Sequence, residues 1–281
     1  MQLPNEIQDQ IYLFLDYETL ENSRELQSEY IKKVTKWDDY EKAIRDRNLD
    51  NVKWLYYQQK LKPKATHLQT AARLGQFEIM KFLYSVNCPM NMYVSQAAAQ
   101  FGDLEILKWT VKILNHSGSV VFNAAASSGN LEIMKWLHEI KLTMTERTFI
   151  CAIQNGNLDN LKWLYSVDCP RCFDAFDTAI IQGDLEILKW LKEINCPVDL
   201  SHLEKVVGNI CNKEIATWAI NEMHIELDEY VLIEAVKVKK LEFIKWLREM
   251  GCAWDSSVYQ EALDSGDQEI INWLIENGCP Q

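Results

Sequence analysis

Ala125-Ala126-Ser127-Ser128-Gly129-Asn130-Leu131-Glu132-Ile133-Met134-Lys135-Trp136-Leu137 returns, 54 residues later, as Ala179-Ile180-Ile181-Gln182-Gly183-Asp184-Leu185-Glu186-Ile187-Leu188-Lys189-Trp190-Leu191. Both read A-x-x-x-G-x-L-E-I-x-K-W-L. The Trp of this run recurs along most of the chain, at Trp54, Phe82, Trp109, Trp136, Trp163, Trp190, Trp218, Trp246 and Trp273, in steps of 27 or 28 residues. Four residues before each marker stands an acid, from Asp50 and Glu78 to Glu242 and Glu269. Eleven before it stands Ala in eight of nine cases, Val207 being the exception. Seven before it stands Gly in six of nine, and one before it Lys in seven of nine. Agreement in so many columns makes an internal repeat of nine units, and a period of this length belongs to stacked repeat architectures.

Each unit reads as two short helices. In the unit containing Glu146 to Val167, Phe149, Ala152 and Ile153 fall at i, i+3, i+4 and share one helical face. Gly156 ends that helix as a C-terminal cap. Asn157 then caps the next, a place taken elsewhere by Asp103, Asn130, Asp184 or Asp267. The second helix buries Leu158, Leu161 and Leu164, and its acid sits at the positive end of the helix dipole. The Ala column lets neighbouring helices approach closely. The first unit departs from the pattern at Arg47 and Asn51, and the seventh at Cys211, Lys213, Thr217 and Ala219. The last carries Gln268 and Asn272, the polar substitutions expected of a capping unit.

Composition narrows the function. The 281 residues carry a net charge of −12, which disfavours binding to phosphate backbones or acidic lipid. No stretch approaches 18 consecutive apolar residues, so no membrane span is expected. The opening MQLPNEIQDQ lacks the pattern of a secretory signal. The eight cysteines are accordingly expected in a reducing, intracellular setting. Five of them, Cys88, Cys169, Cys196, Cys252 and Cys279, lie six residues after a marker and read as small buried residues of the inter-unit loop. Cys169-Pro170-Arg171-Cys172 has no second ligand pair for zinc. The Lys column sits three residues after the acid column, within pairing reach, so it reads as a paired solvent face. The five histidines are scattered, and no phosphate loop or nucleophile motif is present. No enzyme activity, cofactor or metal is expected.

The Ala…Gly…acid-Ile-x-x-x-Leu run resembles the ankyrin repeat, where it joins the two helices of a unit. Leucine-rich repeats match in length but not in pattern, and tetratricopeptide units are longer. An ankyrin unit is usually about 33 residues with a T-P-L-H turn. The turn is missing here. The resemblance therefore implies an all-α solenoid of ankyrin-like helix pairs with shortened or absent β-hairpin fingers, over residues 36–281. Units ending in Asn87-Cys88-Pro89 or Asn195-Cys196-Pro197 resemble the ankyrin arrays of giant DNA viruses and some protists. For a viral protein that implies the host cytoplasm.

Residues 1–35 lie outside the register. Leu3-Pro4-Asn5-Glu6-Ile7, with Ile11 and Leu15, resembles the start of an F-box, whose amphipathic helix docks a Skp-type adaptor of cullin–RING ubiquitin ligases. The resemblance implies adaptor contacts at Leu3, Pro4, Ile7, Ile11 and Leu15; a helical N-terminal cap is the alternative. Recurrent columns build the fold, so binding is expected where units differ, from the Cys-Pro loop into the first helix. In ankyrin proteins this region forms the partner groove. It implicates Tyr93, Arg147, Phe173, His202 and Trp254, since aromatic residues and Arg dominate interface energetics. The expectation is a monomeric protein–protein interaction scaffold for an unknown target. It either recruits substrates to a ubiquitin ligase through the F-box-like segment or binds without ligase coupling.

Overall fold

The computed structural model describes residues 40–115 and 118–281. They form helices α1 (Tyr40–Arg45), α2 (Leu49–Tyr57), α3 (Ala65–Arg73), α4 (Phe77–Ser85), α5 (Met92–Phe101), α6 (Leu104–Leu114), α7 (Ser119–Ser128), α8 (Leu131–Glu139), α9 (Glu146–Asn155), α10 (Leu158–Ser166), α11 (Asp174–Gln182), α12 (Leu185–Glu193), α13 (Leu200–Ile210), α14 (Lys213–Met223), α15 (Glu229–Lys237), α16 (Leu241–Glu249), α17 (Ser256–Ser265) and α18 (Gln268–Glu276). No strand occurs among the described residues. Odd numbers are the first helices of the repeat pairs and even numbers the second. The chain divides into two compact bodies, Met1–His116 and Ser117–Gln281. The first holds α1–α6 and the second α7–α18.

The caps act as the repeat columns demand. Asp103 Oδ1 accepts from the backbone N–H of Ile106 at 2.9 Å, and Asn130, Asn157 and Asp184 do the same at 3.0, 3.1 and 3.0 Å. Each satisfies one of the orphan donors at a helix start. The turn before it is left-handed in all nine pairs: φ runs from +65° to +84° at the six glycines and is +55°, +53° and +56° at Arg47, Cys211 and Lys239. The column therefore requires a conformation rather than glycine itself. Glycine is only the residue that adopts it without a steric penalty.

Within each body the first helices stack in chain order, α1–α3–α5 and α7–α9–α11–α13–α15–α17. All eight alanines of the Ala column are fully buried between them. The second helices keep their backbones farther apart, with α2 and α4 the closest pair. The reason is the marker. It is not central core: most marker rings are half-buried at the seam between second helices. At four of the eight steps the residue two positions after one marker is an aromatic ring that covers the next marker edge-on. Tyr56 meets Phe82 at 6.2 Å and Tyr84 meets Trp109 at 5.4 Å; His138 meets Trp163 and Tyr165 meets Trp190, both at 5.9 Å. The deep core consists of their neighbours, such as Leu137, Leu164 and Leu191.

Polar atoms reach from pair to pair. Asn160, where most units have Ile, donates through Nδ2 to the carbonyl of Gly129 at 2.8 Å. Gln76 donates to the carbonyl of Ile44 at 2.6 Å. Cysteines act within a pair, at its opposite end, with Cys88 and Cys252 donating to the carbonyls of Lys64 and Asp228, 24 residues earlier, at 3.3 and 3.1 Å.

Candidate functional site

Four of the five array residues singled out in the sequence stand at the N-terminal ends of first helices. Tyr93 is the second residue of α5, its amide held at 3.2 Å by the Asn91 side chain, and its ring is 57% exposed. In the C-terminal body, Arg147 is the second residue of α9 and exposed. Phe173 immediately precedes α11 and is 59% exposed. His202 lies in the first turn of α13, where its Nδ1 is 2.6 Å from the carboxylate of Asp177 on α11. Partial burial raises the Asp177 pKa above the ordinary carboxylate value, against the bond and charge of His202, which draw it down.

Trp254 behaves differently. It precedes the N-cap Asp255 and is half-buried. The Arg248 guanidinium lies over its ring at 3.8 Å while donating to the carbonyl of Cys252. Trp273 meets it at 6.1 Å. Much of this ring is therefore used between neighbouring repeat pairs, under Arg248 of α16 and against Trp273 of α18. Trp254 shares a shallow cleft with Lys245, Arg248 and Trp273 on the second-helix side.

One exposed ring was not anticipated. Tyr230, the second residue of α15, is 53% exposed. It stands sixteen residues before its marker, as do Tyr93, Arg147 and His202. Counting back from the markers finds it directly; within Asp228-Glu229-Tyr230 it is inconspicuous.

The loop cysteines offer no nucleophile. Cys88, Cys169, Cys196, Cys252 and Cys279 are buried free thiols. Burial pushes Cys88 and Cys196 up to about 11 and Cys169 and Cys252 up to about 12, so their thiolate populations at neutral pH are negligible. Three lysines of the Lys column pair with the acid three residues before, Lys81–Glu78, Lys189–Glu186 and Lys245–Glu242, at 2.8, 3.3 and 2.7 Å. Among the described residues no group of three or more His, Cys, Asp and Glu is arranged to hold a metal. No described helix is long and apolar enough to cross a membrane. The F-box-like segment, with Leu3, Pro4, Ile7, Ile11 and Leu15, lies outside the described residues. Compared with protein-family models and with curated proteins, the chain matches none.

Proposed function

We propose that this chain is a protein-binding scaffold of ankyrin type, in which the β-hairpin finger is reduced to a loop of a few residues. The partner docks on the N-terminal ends of the first helices. The observation that carries this reading is the recurrence of a large exposed ring at the N-terminal ends of first helices in different pairs, Tyr93 and Tyr230 as second helical residues and Phe173 just before its helix. These rings pack little against their own pair, whereas the repeat columns beside them are buried. Rigid aromatic groups held out on a helical frame are the anchors that dominate protein interfaces. Quantitative pull-down from cells with the full chain, wild type against Tyr93→Ser, Phe173→Ser and Tyr230→Ser combined, tests the reading. Loss of a set of partners is expected, and an unchanged set overturns it.

The proposal extends to the N-terminus. There the Leu3-Pro4-x-x-Ile7 segment docks a Skp-type adaptor through Leu3, Pro4, Ile7, Ile11 and Leu15, and the array delivers the captured protein for ubiquitination in the cytoplasm. Binding rather than catalysis is the role throughout, in keeping with buried, high-pKa thiols and paired surface charges. Full-length protein and a Leu3→Glu/Ile7→Glu/Ile11→Glu variant, each mixed with purified adaptor, decide the coupling. Binding by the wild type alone is expected. Equal or absent binding leaves a scaffold without ligase coupling.

A further inference from the structure

Charge is distributed unevenly between the two layers of the C-terminal body. In its last four pairs, the first helices and the loops leading into them (168–182, 195–210, 224–238 and 250–265) carry twelve Asp and Glu against three Lys and Arg. The second helices of the same pairs carry eight against five. Ion pairs form in both layers, such as Glu186–Lys189, Glu242–Lys245 and Lys192–Glu222 on the second helices and Lys237–Glu234 on α15, but the net excess of acids is nine in the first layer against three in the second. The acid excess is thus concentrated in the first-helix layer, and the N-terminal ends of those helices also expose an apolar row. Phe173, Leu200 and Tyr230 stand at the N-terminal ends of α11, α13 and α15, three first helices that pack side by side.

We infer that this face takes an extended, basic segment of a partner protein, with Lys or Arg opposite the acids and an apolar residue at every third position on the Phe173–Leu200–Tyr230 row. The inference rests on the reading of the first-helix face as the docking surface and adds the chemistry of the occupant. Packed helices are spaced about 8–10 Å apart. An extended chain of polyproline-II form rises about 3.1 Å per residue with three residues per turn, so every third side chain shares a face and three residues span one helix step. Asp174 and Glu229 flank the apolar row in sequence at its two ends, and Glu261 continues the acidic face onto α17. A polyanion such as RNA, or an acidic lipid surface, is repelled by the same excess.

The test uses the full chain and three labelled 15-residue peptides read by fluorescence anisotropy: five repeats of Lys-Leu-Arg, of Glu-Leu-Asp and of Ser-Leu-Asn. The basic peptide is expected to bind at least tenfold more tightly than the neutral one, and the acidic peptide not to bind. Asp174→Lys/Glu229→Lys/Glu261→Lys is expected to weaken the basic peptide at least tenfold. Glu186→Lys/Glu242→Lys/Glu276→Lys changes net charge equally on the other layer and is expected to alter it less than twofold. Circular dichroism checks that each variant is folded. Equal loss in both triple variants, or no preference for the basic peptide, overturns the inference. If the neutral peptide binds as tightly as the basic one and both are lost in Phe173→Ser/Tyr230→Ser, the occupant is wrong but the docking surface stands. If no peptide binds, or binding ignores every first-helix substitution, the inference falls, and in the second case the docking surface falls with it.

Discussion

The thiol of Cys252 lies 3.1 Å from the carbonyl oxygen of Asp228, the residue that caps the first helix of its own repeat pair. Cys279 repeats the contact with Asp255 at 3.6 Å, Cys169 with Thr145 at 3.8 Å and Cys88 with Lys64 at 3.3 Å, always 24 residues back. Each cysteine leaves a second helix, drops into the loop and touches the cap of the helix just before it. A small, buried, weakly donating side chain suits this position. The column is therefore a stitch within the stack rather than a reactive site.

The first prediction concerns alkaline pH. Folding raises Cys88, Cys169, Cys196 and Cys252 from an ordinary value of 9.0 to about 11 or 12, through burial. Below pH 9 they are neutral in both states, and their contribution is intact. Above it the unfolded chain ionises while the folded chain does not, so stability falls as pH rises towards the folded values, by up to about 1 kcal/mol per thiol per pH unit. Urea midpoints should therefore be flat from pH 7 to 8.5 and decline steeply from pH 9 to 10.5. Replacement of Cys169 and Cys252 by Ala should lower stability at pH 7 and flatten that decline. An unchanged slope would show that these thiols do not titrate as described.

A second prediction separates conformation from packing at the left-handed column. Lys239 has φ +56° where six other units have Gly. A left-handed residue with a Cβ costs roughly 1–2 kcal/mol, offset in part by the extra freedom Gly has when unfolded. Lys239→Gly should stabilise the protein by about 0.5–1 kcal/mol, seen as a higher urea midpoint at unchanged slope. Gly183→Ala should cost about 1 kcal/mol from backbone strain alone, because a Cβ there meets nothing within 4 Å.

Gly208 has a different reason to be glycine. It lies inside α13, and a Cβ added to it would stand 2.4 Å from the carbonyl oxygen of Val231 on α15. Backbone cannot move aside as a side-chain tip can. Gly208→Ala should therefore cost more than Gly183→Ala, about 2–3 kcal/mol, despite alanine's better helix propensity. Thermal unfolding of the two variants side by side checks the order, and a Gly208→Ala protein as stable as wild type would refute the close approach.

The legibility of the sequence divides along one physical line. Requirements that recur through the units, such as the Asn157 cap, the left-handed turn at Gly156 and the buried Ala152, leave columns and are readable without coordinates. What a residue meets in the next unit leaves no such trace. Asp177 and His202 are 25 residues apart, and nothing in either repeat marks them as a pair. Trp254 stood out as a tryptophan off the register, but only the structure shows Arg248 folded over it. Most marker rings line the seam between second helices, and only the structure shows which neighbour covers each ring.

That seam yields the last prediction, which separates aromatic residues that hold the stack from those available to a partner. Tyr84 and Tyr165 are 42% and 40% exposed, not far below the values at Tyr93 and Tyr230. Exposure alone ranks all four as tolerant surface positions, worth within about 0.5 kcal/mol. Their contacts do not. Tyr84 lies edge-on to Trp109, and Tyr165 covers Trp190 while carrying the Arg171 guanidinium at 4.9 Å on its own ring. An aromatic pair contributes about 0.5–1.5 kcal/mol beyond its buried area. Tyr84→Ala and Tyr165→Ala should each cost about 1–2 kcal/mol and shift tryptophan emission to the red as Trp109 or Trp190 gains water. Tyr93→Ala and Tyr230→Ala should leave both stability and emission nearly unchanged and show their effect only when a partner is present. Equal destabilisation by all four would mean that the exposed rings at the first-helix ends are also structural, and would remove the observation on which the binding role rests.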